Sequence, residues 1–339
     1  MYFYYKFNGN LDNTVVYLMR TVKTLKFHNS FNKPIFTREQ QSLKSTNIRR
    51  IEFGNEFNHT VDFLPEGIEE LIFGNYFNKP LDNLPSSVKI IIVGQQFNHP
   101  VDRLPPDVKV IKIGNSFNFP INNLPSQVEE ITIGNSFNHP IENLPAKVIS
   151  IEIGDSFNQS IDNLPADIKK ISLGNAFDKS VDFLPPGTEE LKLGHNFNQT
   201  IDNLPSKLKK IELGDSFDQN INNLPASVET IKLGKYFRKS IKSLPEKIEE
   251  VEFYYLESNS SLENPLDIEK ENCANLKKIV ICKDNPFTKE IKRKFGRKIV
   301  ITPLTFREWD YIGYFIATVS IVGFIAFPTC FYLSLVFYL

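Results

Sequence analysis

The sequence predicts a mainly β fold: a solenoid of twenty-residue coils carrying one parallel sheet, followed by one C-terminal transmembrane helix. Three observations support that expectation. A unit of twenty residues recurs without a slip from IEFGNEFNHTVDFLPEGIEE at Ile51–Glu70 to IKLGKYFRKSIKSLPEKIEE at Ile231–Glu250. A period of this size is the signature of supersecondary units that stack into one continuous core. Each unit opens on an apolar-x-apolar triplet such as Ile51-Glu52-Phe53, the alternation of a short strand with one face buried. Residues 311–339 hold no charged side chain, a stretch longer than the roughly 20 residues that cross a bilayer core.

Within the unit the residue types assign each position in turn. Glycine recurs every twentieth residue from Gly54 to Gly234, phenylalanine from Phe57 to Phe237, and Leu-Pro from Leu64-Pro65 to Leu244-Pro245. Gly54 ends the strand, and a side chain there is excluded by a positive φ or by close approach of another backbone. Asn55 and Asn58 supply turn chemistry, since asparagine tolerates left-handed geometry and bonds its own backbone. Phe57 points inward between them, with Val61 and Leu64 continuing the core on the return path. Pro65 keeps a helix from running through that return, so the coil has room for strand, turns and at most one helical turn. The positions of residues 51, 53, 57, 61, 64 and 68 are apolar in all ten units except at Thr188. Each large side chain fully buried contributes about 1.5–3 kcal/mol, which leaves a single coil marginal and dependent on its neighbours.

The pattern blurs at both ends. FNGNLDN at Phe7–Asn13 matches FNKPLDN at Phe77–Asn83, and LKFHNSFNKPIF at Leu25–Phe36 is a further copy set off by six extra residues. At the far end Tyr254 replaces glycine, and Asn275 onward reads as strand, short basic helix and strand, a cap over the last coil. The expected organisation is divergent N-terminal repeats or cap at 1–50, the array at 51–253, a C-terminal cap at 254–303, a juxtamembrane stretch at 304–310 and a transmembrane tail anchor at 311–339.

GNSFNFPINNLP at Gly114–Pro125 and GNSFNHPIENLP at Gly134–Pro145 resemble the FNIP repeat, with Phe-Asn-x-Pro-Ile at 117–121 and 137–141. Phe77-Asn78-Lys79-Pro80-Leu81 and Phe97-Asn98-His99-Pro100-Val101 are close variants; later units place Ser, Thr or Asn at the proline. The resemblance covers about residues 5–253. It implies a leucine-rich-repeat-like solenoid acting as an interaction scaffold, with no catalytic residues to assign.

Composition narrows the function classes. Lys+Arg at 39 balances Asp+Glu at 40 for a net charge of -1, which argues against a nucleic-acid binder and its basic face. Cys273, Cys282 and Cys330 have no zinc-type spacing and fit a reducing compartment. No Ser/His/Asp order or glycine-rich phosphate loop is present, so the chain reads as a non-enzyme without cofactor. Asp62, Asp82, Asp102, Asn122, Glu142, Asp162, Asp182 and Asp202 form an acidic column. Turn aspartates bonding local backbone explain it better than a cation site, because no glycine-rich calcium loop accompanies it. His59, His99 and His139 recur two coils apart, about 10 Å at strand spacing, too far to share a metal.

The positions of residues 50 and 52 face outward from the sheet. Toward the end of the array Lys192, Glu212, Lys232 and Glu252 alternate in sign and support strand pairing. Earlier, Ile72, Ile90, Ile92 and Val110 stand together on these two columns. Exposed apolar clusters rimmed by charge mark contact surfaces, so these four residues are the candidate site for a protein partner; the alternative is that a neighbouring segment covers them.

Lys289, Lys292, Arg293, Lys294, Arg297, Lys298 and Arg307 precede the apolar tail, and no charge follows it. The positive-inside rule then places the repeats in the cytosol, with anionic lipid contact through Lys292, Arg293, Lys294, Arg297 and Lys298. The expected function is a membrane-anchored, non-enzymatic scaffold presenting its sheet to a protein partner. The alternative is a repeat expansion of structural character without a specific partner.

Overall fold

Strands form where the outward position between two inward apolar residues tolerates any side chain, and the repeat supplies that arrangement every twenty residues. A computed structural model of the chain describes residues 3–4, 22–35, 47–239, 241, 243–253, 275–282, 288–296 and 299–302. Two compact units divide the chain, Met1–Ile301 and Thr302–Leu339; the predicted membrane segment at 311–339 lies outside the described residues. No helix among the described residues is long and apolar enough to cross a membrane.

The described strands are β1 (Phe3–Tyr4), β2 (Thr24–Lys26), β3 (Arg50–Glu52), β4 (Glu70–Ile72), β5 (Ile90–Val93), β6 (Val110–Ile113), β7 (Glu130–Ile133) and β8 (Ser150–Ile153). They continue as β9 (Lys170–Leu173), β10 (Glu190–Leu193), β11 (Lys210–Leu213), β12 (Thr230–Leu233), β13 (Glu250–Phe253), β14 (Lys278–Cys282) and β15 (Ile299–Thr302). All join one sheet in sequence order. Neighbours from β3 to β13 pair in parallel at a shift of one unit, as in Ile91↔Ile111 and Ile131↔Ile151. The sheet therefore belongs to a right-through solenoid rather than to alternating hairpins. Leu25 pairs with Ile51 and Val251 with Ile279, so the longer coils at both ends still deliver their strands in register. After β14 comes α1 (Thr288–Phe295), then β15, the strand, helix and strand expected of the cap.

Between strands each coil turns three times without a helix, as Pro65 and its copies require. The last turn is closed by bonds such as Val88 N–H to the Pro85 carbonyl at 3.2 Å. Of the two reasons offered for the invariant strand-end glycine, close approach is the operative one. A Cβ on Gly114 would stand 2.6 Å from the Gln95 Cα and nearer still to the Gly94 carbonyl group. Positive φ appears instead at Gly67 and Gly296.

The core is a column of phenylalanines. Phe31, Phe57, Phe77 and their successors to Phe237 are buried and stack nearly parallel, with centroids 6.0 to 6.2 Å apart. Strands sit about 4.8 Å apart, so each coil is a wedge, narrow at the sheet and wide at the aromatic column. Residues equivalent to 51, 53, 61 and 68 are buried throughout, Thr188 included. The leucine before each proline is less enclosed than expected: Leu64 is buried, whereas Leu84, Leu104 and Leu124 only pack against the core's edge.

Candidate binding face on the sheet

Strand alternation turns residues 51 and 53 inward and residues 50 and 52 outward, and the burial of β5 to β8 follows that rule. Ile90 and Ile92 on β5 and Val110 on β6 are partly exposed neighbours, Ile90 in register with Val110. Ile72 departs from the expectation: it is buried, with 4% of its surface accessible. Ile72 lies in register between Glu52 and Ile92. Glu52 is itself held down by Lys26 at 2.6 Å and by Arg50 at 3.7 Å, so Ile72 is walled in rather than presented. The apolar cluster open to a partner is therefore Ile90, Ile92 and Val110.

Charge on the same face is arranged by coil. Lys192 pairs with Glu212 at 3.1 Å and Lys232 with Glu252 at 3.3 Å, so the predicted alternation closes two by two. The column of residue 50 adds Lys210–Glu190 at 3.3 Å and Lys278–Glu250 at 2.7 Å. A third column, one residue before the strand, was not read from the sequence. It carries Lys89–Glu69 at 2.9 Å, Lys109–Glu129 at 2.8 Å, Lys209–Glu189 at 2.6 Å and Lys277–Glu249 at 2.7 Å. Its signal was the sign alternation at residues 49, 69 and 89, masked because the position lies outside the alternating triplet. The hydrogen bond from Lys209 holds the Glu189 carboxyl below its usual range and raises Lys209 in turn, and the hydrogen bond from Lys89 holds the Glu69 carboxyl below its usual range. Burial works against the charge on Lys232, but Glu252 and Glu212 outweigh it and its value is raised.

The turn asparagines act between coils as well as within them. The Asn58 side-chain oxygen accepts from Asn78 N–H at 2.9 Å, Asn78 from Asn98 at 3.0 Å, and the series continues to Asn198 and Asp218 at 2.9 Å. A second series runs through the Asn55 position, as from His195 N–H to Asn175 at 3.2 Å. Histidine in the loop serves the same stacking: His99 Nε2 lies 3.2 Å from the Asn78 carbonyl and His139 Nε2 3.0 Å from that of Asn118. In the acidic column Asp62 accepts from Asn83 at 3.1 Å and Asp202 from Asn223 at 2.9 Å, so these acids also tie coil to coil. Among the described residues no group of three or more His, Cys, Asp or Glu is placed to hold a metal. Of the basic run, Lys289, Lys292 and Arg293 are exposed on α1. Lys294 lies in α1, while Arg297, Lys298 and Arg307 fall outside the described residues.

The profile of the FNIP Repeat matches residues 40–76, 97–136, 137–176, 177–216, 197–236 and 217–255. CroV588, described as a novel circular LRR protein, is similar in structure with a TM-score of 0.66 and 29% identity. The match covers 78% of this chain and 41% of CroV588, so the chain spans less than half the length of that protein. The functional domain of InlJ from Listeria monocytogenes aligns over 77% of this chain and 68% of its own, at 9% identity and a TM-score of 0.46. No curated protein matches significantly in sequence.

Proposed function

This chain belongs to the FNIP-repeat family, and on that premise we propose that it is a non-enzymatic scaffold whose sheet is offered to a protein partner. The observation that carries the reading is the partly exposed trio Ile90, Ile92 and Val110, apolar side chains on a face whose other strands carry mostly charged and polar ones. The fold supports it, because a solenoid of parallel strands presents a continuous surface. Residues 311–339 act in this proposal as the membrane anchor, with the repeats on the cytosolic side and the exposed Lys289, Lys292 and Arg293 toward anionic lipid.

Proximity labelling in cells tests the scaffold reading. The full chain and its Ile90→Asp/Ile92→Asp variant are compared, with circular dichroism to establish that the variant is folded. The scaffold reading expects a set of labelled proteins that disappears with the variant. Labelling of membrane bystanders alone by both chains would favour a repeat expansion without a specific partner, for which the self-paired charges of β10 to β13 already provide a sufficient purpose.

A further inference from the structure

In the columns of residues 50 and 52 the outward charges are matched to one another near the ends of the sheet and unmatched on β6 to β8, while the column one residue before the strands stays paired through the middle, as in Lys109–Glu129 at 2.8 Å. From β10 to β14 lysine and glutamate on adjacent strands pair at 3.3 Å or less, and on β3 and β4 Arg50 pairs with Glu70 at 2.9 Å. Between these regions lie Lys112 on β6, Glu130 on β7, Glu152 on β8 and Lys170 on β9, the last in register with Glu190. Lys112 is partly buried, in register with Ile92 on one side and Thr132 on the other. Glu130 is in register with Val110 and Ser150, and Glu152 with Thr132 and Ser172. None of Lys112, Glu130 and Glu152 has an ion-pair partner among the described residues, and the residues in register with each on the adjoining strands are uncharged. The gap in these two columns coincides with the trio Ile90, Ile92 and Val110.

We infer that the middle of the sheet takes an extended protein segment crossing the strands, with apolar side chains over Ile90, Ile92 and Val110, an acid over Lys112 and a base over Glu130 and Glu152. The inference rests on the scaffold reading and specifies its partner. Charge complementarity selects that occupant. Lys112 is partly buried and in register with Ile92 on β5, where a docking side chain displaces water and strengthens an ion pair. The two glutamates lie one and two coils further on, which fixes the direction of the segment: acid toward β6, base toward β7 and β8. A second set of charges of the same sign would be repelled, so the pattern discriminates as well as binds.

Selection of phage-displayed random linear peptides on the immobilised full chain tests this. The expected enriched peptides join apolar residues to an Asp or Glu, with Lys or Arg following on the far side. They lose about tenfold in affinity on Lys112→Glu, bind Lys192→Glu (the same strand position on β10) as they bind the parent, and fail on Ile90→Asp/Ile92→Asp. Circular dichroism and the intact response of the Lys192→Glu chain separate lost recognition from lost folding. Peptides that fail on Ile90→Asp/Ile92→Asp yet lack acids and ignore Lys112→Glu overturn the charge pattern and leave the binding face standing. Peptides indifferent to both changes, or no enrichment at all, overturn the face together with its partner.

Discussion

Thr188 occupies a place that is Ile, Val or Leu in every other unit of the array, and its hydroxyl is fully buried without a hydrogen-bond partner among the described residues. A buried hydroxyl left unpaired costs about 1–3 kcal/mol. Valine has the same shape with a methyl in place of the oxygen. Thr188→Val is therefore expected to raise stability by about 1 kcal/mol, read as a higher midpoint in urea at unchanged slope. An unchanged or lower midpoint would mean that the hydroxyl has a partner the fold conceals. At this scale the legible features were those that depend on size and burial alone. Phe57 and its copies stack as expected because only a large apolar side chain fills that column. Ile72 was misread because its burial depends on Glu52, Lys26 and Arg50, a local ion-pair cluster that no periodicity announces. Asn58 was half read, since turn propensity explains an asparagine fully and gives no hint that its oxygen bonds the next coil.

The coil is the element that matters, and its contacts are translated copies of one another. Lys109 N–H donates to the Lys89 carbonyl at 2.8 Å and Glu129 N–H to that of Lys109 at 2.8 Å. Asn118 N–H donates to Asn98 Oδ1 at 3.0 Å and Asn138 N–H to Asn118 Oδ1 at 3.2 Å. A whole unit is therefore removable without leaving an unmatched group. Excision of residues 131–150 joins Glu130 to Ile151, sets Asn158 beside Asn118 and Phe157 against Phe117, and restores every column. The excised chain is expected to keep its far-ultraviolet spectrum and a cooperative thermal transition at a lower midpoint, as nearest-neighbour energetics require. Excision of residues 131–140 removes Phe137 and most of β7 and leaves a coil with ten extra residues between β6 and β8, and is expected to lower the midpoint further than removal of the whole unit. Equal behaviour of the two deletions would show that coil identity does not govern stability. The exact period made the strand order and register of β3 to β13 legible; the ion-pair column at residues 69, 89, 109 and 129 was not, because it lies one residue outside the strand pattern.

For the whole molecule, the sequence and the fold divide the work. The repeats pair the outward charges of β10 to β14 with one another and hold their aromatic column inside. The proposed anchor is the apolar, uncharged stretch at 311–339, chosen on hydropathy alone. The proposed orientation, with the repeats on the cytosolic side, rests on the basic residues ahead of that stretch. On that proposal the chain truncated after Asp310 moves from the carbonate-resistant membrane pellet to the soluble fraction, while its circular dichroism keeps the signature of the sheet. An epitope placed at Met1 is stained in cells whose plasma membrane alone has been opened with digitonin. Retention of the truncated chain in the pellet would transfer the anchor to another segment, and staining only after all membranes are opened would reverse the orientation. Enzymatic sugar addition is a weaker probe of the same point. The side chains of Asn58, Asn158 and Asn198, the asparagines of the repeat-borne acceptor sequences, are each engaged with the next coil, to Asn78 N–H at 2.9 Å, Asp178 N–H at 3.1 Å and Asp218 N–H at 2.9 Å. A sugar there has to compete with folding, so sugar found on any of the three would show that the array met the glycosylating compartment before its coils closed, and would reverse the proposed orientation.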